Sequence, residues 1–245
     1  MTDPTASRIA SLINELNEPA EGRAEEAQAE LTSLGEVVVD PLIRHLEELS
    51  ALGQLCAIEI FEALDAREAG PSLRSLLHSE NETVREWAAD ALGKFGAVDA
   101  VPQLEQLLSA SRQRGTPPDW TEPVAIRRAL TKLGARRKVI PLRLADQVVE
   151  VTDLEHAVPG EKLELALAAL READQVVLYF QRWRPWRDTW SWIDGNGWEL
   201  DWTSPWKTLV SDSHREASEA ARTQAREEAA IVTIEWMAES DWPTA

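Results

Sequence analysis

Between Thr83 and Leu108 the apolar positions form two helical stripes with one glycine between them. Val84, Trp87, Ala88, Ala91, Leu92 and Phe95 recur at spacings of three and four, which puts them on one side of a helix. Gly96 is placed to end that helix, because glycine readily takes the left-handed conformation of a C-terminal cap. Asp99 is then the expected N-cap of the next helix. Pro102 falls in its first turn, where a missing N–H costs nothing. Val101, Leu104, Leu107 and Leu108 make the second stripe. The result is a helix pair whose two apolar faces cannot be covered by each other alone.

The same punctuation occurs four times. Pro41 stands six residues after Gly35, Pro71 six after Asp65, Pro102 six after Gly96, and Pro141 seven after Gly134. A period of about thirty residues, one helix pair each, predicts a stack of repeats. Unit one pairs 24–34 with 40–49, and unit two pairs 54–64 with 69–78. The segment 3–16, with Ile9, Leu12, Ile13 and Leu16 on one face, is the expected cap of the stack. Gly115, Pro117 and Pro118 predict a loop over 111–122 that delays the fourth unit. The sequence VREWAADALGKFGAVDAVPQLEQLL resembles the HEAT-like repeats first named for phycobilin lyases, and the resemblance covers roughly 22–145. It implies a right-handed α-solenoid with a concave surface lined by second helices. It does not imply lyase chemistry, since one fold hosts many functions.

After Pro141 the period fades. The stretch 147–152 reads either as a short strand or as the end of a helix. Pro159-Gly160 marks a break, 161–173 a helix and 175–183 a β-branched, aromatic strand. Gly195-Asn196-Gly197 predicts a hairpin turn with Trp192 opposite Leu200 and Trp190 opposite Trp202. A helix over 213–230 and a strand over 231–236 complete the pattern. The fold class expected is therefore mostly α: a HEAT-like α-solenoid with a capping helix over 1–145, then a small Trp-rich α+β domain over 146–245. That domain should hold about four strands with two helices on one face.

Charge narrows the partners. The net charge is −18, which disfavours general nucleic-acid binding because phosphate attraction dominates that affinity. Residues 1–110 hold 21 acids and 7 bases, a balance of −14; residues 111–143 hold 2 acids and 9 bases, +7; residues 144–245 hold 20 acids and 9 bases, −11. An acidic scaffold favours a basic protein partner or simply serves solubility. The basic island contains Arg127, Arg128, Lys132, Arg136, Arg137 and Lys138, readable as a ligand-binding patch, a solvated face, or a dock for the acidic C-terminal region. The basic residues with Asp119 and Trp120 are similar in kind to the basic face, aromatic residues and carboxylate of the alkylpurine DNA glycosylases, which also use HEAT-like helix pairs, but units one and two are strongly acidic. No motif of that family matches residue by residue.

Nine of the eleven tryptophans lie in the C-terminal segment, either as core of a small domain or as contact surface. Trp120, Trp183, Trp186 and Trp206, with Arg182, Arg184 and Arg187, are the candidate partner-binding residues, because Trp and Arg dominate binding hot spots. A second copy of the chain is one possible cover for the Trp-rich sheet. The single cysteine, Cys56, sits at an apolar helix position, which predicts a buried thiol and a reducing compartment. His45 and His78 stand alone, so no metal site is expected, and no glycine-rich phosphate loop or nucleophile–base arrangement suggests a cofactor or catalysis. Neither a basic leader nor a membrane-length apolar run is present. The expectation is a soluble, cytoplasmic, non-catalytic interaction protein; the alternative is a lyase- or glycosylase-like enzyme working in the solenoid groove.

Overall fold

The computed structural model describes residues 4–18, 22–136, 140–146, 148–150, 156–187, 189–223 and 231–242. Contacts divide the chain into two compact units, one of residues 1–116 and 120–135, the other of 117–119 and 136–245. The division between Ala135 and Arg136 falls earlier than the expected 145/146.

The first unit is all helical. Its elements are α1 (Pro4–Glu15), α2 (Arg23–Leu34), α3 (Val39–His45), α4 (Ala51–Ala63), α5 (Gly70–Leu76), α6 (Glu82–Lys94), α7 (Val101–Gln113) and α8 (Thr121–Lys132). The first helices of successive repeats pack side by side, α1 on α2, α2 on α4, α4 on α6 and α6 on α8. The central α4 buries Cys56, Ala57, Ile58, Ile60 and Phe61; each large side chain taken from water contributes about 1.5–3 kcal/mol. The expected turn residues share one backbone state: Gly35, Asp65, Gly96 and Gly134 have φ of 73°, 48°, 68° and 71°. Past Gly96 the N–H of Ala97 returns to the carbonyl of Leu92 at 3.0 Å, and the N–H of Ala66 does the same with Phe61 at 2.9 Å. This closure satisfies carbonyls that a helix end leaves orphaned, and Asp65 accepts a strained φ to make it.

Three local expectations are corrected. Asp99 is not a cap: a 3-10 turn over Val98–Ala100 runs straight into α7, whose N-cap is Ala100 with no side-chain bond. The helix α7 continues to Gln113, so the interruption begins at Arg114 rather than at Ser111. The fourth repeat shows only its first helix, α8, among the described residues; around Pro141 there is a 3-10 turn over Leu142–Leu144.

Polar staples link the first helices one after another. Arg8 of α1 donates to Glu30 of α2 through Nε at 2.8 Å and Nη2 at 2.6 Å. Gln28 of α2 donates to Glu59 of α4. Lys94 of α6 donates to Glu62 of α4 at 2.9 Å, and Arg85 of α6 donates to Glu122 of α8. The exposed staples contribute about 0.2–1 kcal/mol each. The last is buried and behaves differently.

The second unit is a five-stranded antiparallel sheet in the order β1-β2-β5-β3-β4, with β1 Val149–Glu150, β2 His156–Pro159, β3 Val176–Trp186, β4 Thr189–Gly197 and β5 Ile231–Met237. Two helices, α9 (Leu163–Glu172) and α10 (Trp206–Thr223), pack on β3. Val158, Leu163, Leu167, Leu170, Val177, Phe180, Val232, Ile234 and Trp236 form the core of this unit. The strand at His156–Pro159 was not expected; it ends at the Pro159-Gly160 break, where a 3-10 turn over Gly160–Lys162 begins.

The hairpin was placed wrongly in the sequence reading. β4 runs directly through Gly195-Asn196-Gly197, and its partner is β3, with Trp183 opposite Trp192 and Pro185 opposite Trp190. Trp198–Trp202 is not a strand. Gly195 serves a close approach rather than a turn: a Cβ there would lie 3.1 Å from Gln181 Cγ and 3.5 Å from the Phe180 carbonyl. The chain reverses instead near Arg187, which holds φ 54°. An Arg-Asp pair carries no strong turn signal, so sequence reasoning chose the glycines.

Candidate functional site

In the first unit a groove of about 590 Å³ runs along one face of α7. Gln103, Gln106, Leu107, Ala110, Gln113 and Arg114 line it. These spacings of three, four and seven put them on one helical face. The opposite wall comes from Leu77, His78 and Ser79, which follow α5, and from Arg85 of α6. The face is amide-rich where the next face of α7, with Leu104 and Leu108 buried, builds the core.

One atom in this wall stands out. Gln103 Oε1 is buried and accepts no hydrogen bond among the described residues. A buried acceptor without a partner costs about 1–3 kcal/mol, so native proteins keep few of them.

Behind the groove lies a charged node. Glu122, at the start of α8, has no exposed side-chain surface, and Arg85 retains 12%. Arg85 Nε donates to Glu122 Oε1, while its Nη1 donates to the carbonyls of Ser79 and Glu80 at 2.8 and 3.0 Å. Arg114 Nη2 donates to Glu122 Oε2 at 2.8 Å and to Ser111 Oγ at 2.9 Å, and Ser111 Oγ donates to Glu122 Oε2 at 3.1 Å. The carboxylate therefore fixes both arginines that border the groove. Of these residues the sequence singles out only Arg114, as part of the loop expected over 111–122. The signal available was the row of glutamines at 103, 106 and 113 beside an apolar stripe.

The residues expected to bind a partner are divided between the two units. Trp120 belongs to the first unit, at the N-cap of α8, and is 55% exposed. Trp183 is half-buried, its indole N–H donating to Thr233 Oγ1 on β5 at 3.1 Å. Arg182, the neighbouring residue on the other sheet face, is buried with 6% exposure, so its guanidinium belongs to the interior rather than the surface. Arg184 and Arg187 are exposed. The backbone of Trp186 ends β3; its side chain lies outside the described residues. Trp206 is not in a loop but opens α10, with its indole N–H donating to the Asp174 carbonyl at 2.9 Å. Asp174 precedes β3 and Arg184 lies near its end, so the two are about 30 Å apart along the strand at 3.3 Å per residue.

Several other tryptophans are structural. Trp236 is core and meets His156 edge to face at 5.8 Å; Trp198 packs on Phe180 at 6.1 Å and donates to the Val177 carbonyl. Trp192, by contrast, is 57% exposed. The basic island is divided. On α8, Arg127 is buried, Arg128 is half-buried and Lys132, one turn further on, is exposed. Arg136 lies in the second unit beside Asp241 at 3.8 Å. Arg137 and Lys138 lie outside the described residues. Burial pushes the Cys56 thiol up to about 11, with Glu59 and Glu25 adding to it, so the thiolate form is disfavoured at neutral pH. Burial also pushes the His214 imidazole below its ordinary value; Arg171 adds to this and the Gln175 carbonyl opposes it.

No described helix is long and apolar enough to cross a membrane. Among curated proteins and among solved structures, no match was found. HEAT repeats generally serve as scaffolds for protein–protein interaction. The match to a known family is confined to residues 39–115, which fit the model for HEAT repeats; with the stacked helix pairs and shared turn geometry described above, this makes the first unit a HEAT-like repeat array.

Proposed function

We propose that the chain is a non-catalytic interaction scaffold whose repeat array holds a basic protein partner, in the manner of an adaptor, an assembly factor or an immunity-type inhibitor. The observation that carries this reading is the charge of the array. Residues 1–110 have a balance of −14, and acids such as Glu25, Glu26, Glu47, Glu48 and Glu68 stay exposed on its helices. Such a field raises the encounter rate with a positively charged protein and selects against acidic ones. The same field opposes nucleic acid.

Affinity capture with the full chain as bait tests the reading. The expected result is one stoichiometric protein of high isoelectric point, released as salt rises, and lost when Glu25, Glu26, Glu47 and Glu48 are changed together to Lys. Capture of an acidic partner, or retention through that charge reversal, would refute it. Turnover of a small molecule or of a damaged base in the groove would favour the enzymatic alternative instead.

A further inference from the structure

The α7 groove differs in charge from the surface around it. Residues 1–110 carry a balance of −14, yet the described lining holds Arg85, Arg114 and His78 and no carboxylate. Its other polar groups are three glutamine amides and two serine hydroxyls, which donate hydrogen bonds without adding charge.

The two guanidiniums are built in as a pair. Each bonds to a different oxygen of the Glu122 carboxylate, and hydrogen bonds of ordinary length then hold the two bonding nitrogens within about 8 Å of each other. Glu122 has no exposed side-chain surface, so it fixes the arginines from behind and stays out of a ligand's reach. Donors are left over. Arg85 Nη2, and Nε and Nη1 of Arg114, make no hydrogen bond among the described residues. Arg114 keeps 43% of its side-chain surface open, so a ligand in the groove can reach its guanidinium. Two cations against one enclosed anion leave a single positive charge. That charge balances a monoanion, whereas a phosphate dianion would bring surplus negative charge up to Glu122.

We propose that this groove binds a carboxylate group, which accepts hydrogen bonds from Arg114 and sits in the field of Arg85, with the ligand's apolar body against Leu107 and Ala110. Guanidinium donors suit the planar geometry of a carboxylate, and the Glu122 bonds hold them in place before the ligand arrives, which lowers the entropy lost on binding. The carboxylate can belong to a free organic acid or to the C-terminus of a chain; the recognising chemistry is the same. The assignment does not rest on the basic-partner reading.

Isothermal titration of the full chain at about 0.15 M salt, where the field of the distant acids is screened, tests it. The probes are 3-phenylpropanoate for the free acid and N-acetyl-Gly-Gly-Phe for the chain terminus, each beside its primary amide. At least one carboxylate should bind saturably below about 10 mM, and its amide at least about tenfold more weakly. Arg114→Gln should weaken the carboxylate by at least about tenfold. Gln113→Glu, which adds a carboxylate to the lining at an exposed position, should weaken it in the same direction, with circular dichroism showing that both variants are folded. Binding of 3-phenylpropanoate alone assigns the groove to a free acid, and binding of the acetylated peptide alone assigns it to a chain terminus. Equal binding of acid and amide, indifference to both substitutions, tighter binding of inorganic phosphate than of either carboxylate, or no binding of either probe would overturn the proposal. Such a failure leaves the capture of a basic partner untouched, and a failed capture leaves the titration standing.

Discussion

Replacing Glu122 by Ala tests how the last described helix of the array is held. The carboxylate is fully enclosed and balances Arg85, which is nearly enclosed, and Arg114, which is not. Removing one member of a buried pair costs about 3–5 kcal/mol, because the surviving charge is left without its counterion. Arg85 keeps its bonds to the Ser79 and Glu80 carbonyls, so the cost should fall near the lower bound, about 3 kcal/mol. Glu122→Gln keeps an acceptor oxygen and loses the charge, and should cost about 1.5–2 kcal/mol. Arg114→Ala, at an exposed end, should cost about 1 kcal/mol or less. In a repeat array, stability is close to a sum of unit and neighbour terms, so the damage should be local. Native-state amide exchange is the suitable assay. In Glu122→Ala the amides of α8 should exchange roughly a hundredfold faster, the equivalent of about 3 kcal/mol, while those of α2 and α4 keep their protection. Uniform acceleration from α1 to α8, or a change in α8 below about threefold, would refute the account of Glu122 as the fastening between α6 and α8.

Two further outcomes follow from the packing and the titration. Gly93→Ala should destabilise by about 1–2 kcal/mol despite the better helix propensity of alanine, because the added methyl would sit 2.8 Å from Ala129 Cα, a backbone atom that cannot step aside; a higher denaturation midpoint would contradict it. Burial holds the His214 imidazole below the ordinary histidine value, which favours its neutral form. The unfolded chain therefore binds the extra proton first, and stability should fall as pH drops from about 6.5 towards the folded value. Urea midpoints measured between pH 7.5 and 5 should show this decline, and His214→Gln should flatten it; an equal decline in both would show that other groups cause it.

The helical array was legible because its signals are local. Stripes at 3.6-residue spacing, a turn residue and a proline six residues later recur in Gly35, Asp65 and Gly96, and each controls a short stretch of backbone. The hairpin was misread for the opposite reason. The demand on Gly195 comes from Gln181 and Phe180 on another strand, and nothing in the neighbouring sequence reports that approach. Trp206 opens α10 directly after Pro205, since proline is well suited to the start of a helix. The groove was not foreseen because glutamine on a helix usually marks a solvated face, whereas Gln103, half-buried, encloses its side-chain oxygen. Glu122 was equally silent, since its partners Arg85 and Arg114 come from two other helices.

The enclosed Glu122 also acts as an address. Arg85, its counter-charge, stands eleven residues before the turn residue Gly96; the same place holds Gln54 ahead of Asp65 and Ala24 ahead of Gly35. A shortened chain lacking the α6–α7 pair would present an amide to that carboxylate, and one lacking two pairs would present a methyl group. In either case α8 would lose the enclosed guanidinium that faces its carboxylate from α6. Apolar packing gives α8 a neighbour, and the Arg85–Glu122 pair adds which neighbour, because of the three corresponding positions only that on α6 carries a guanidinium.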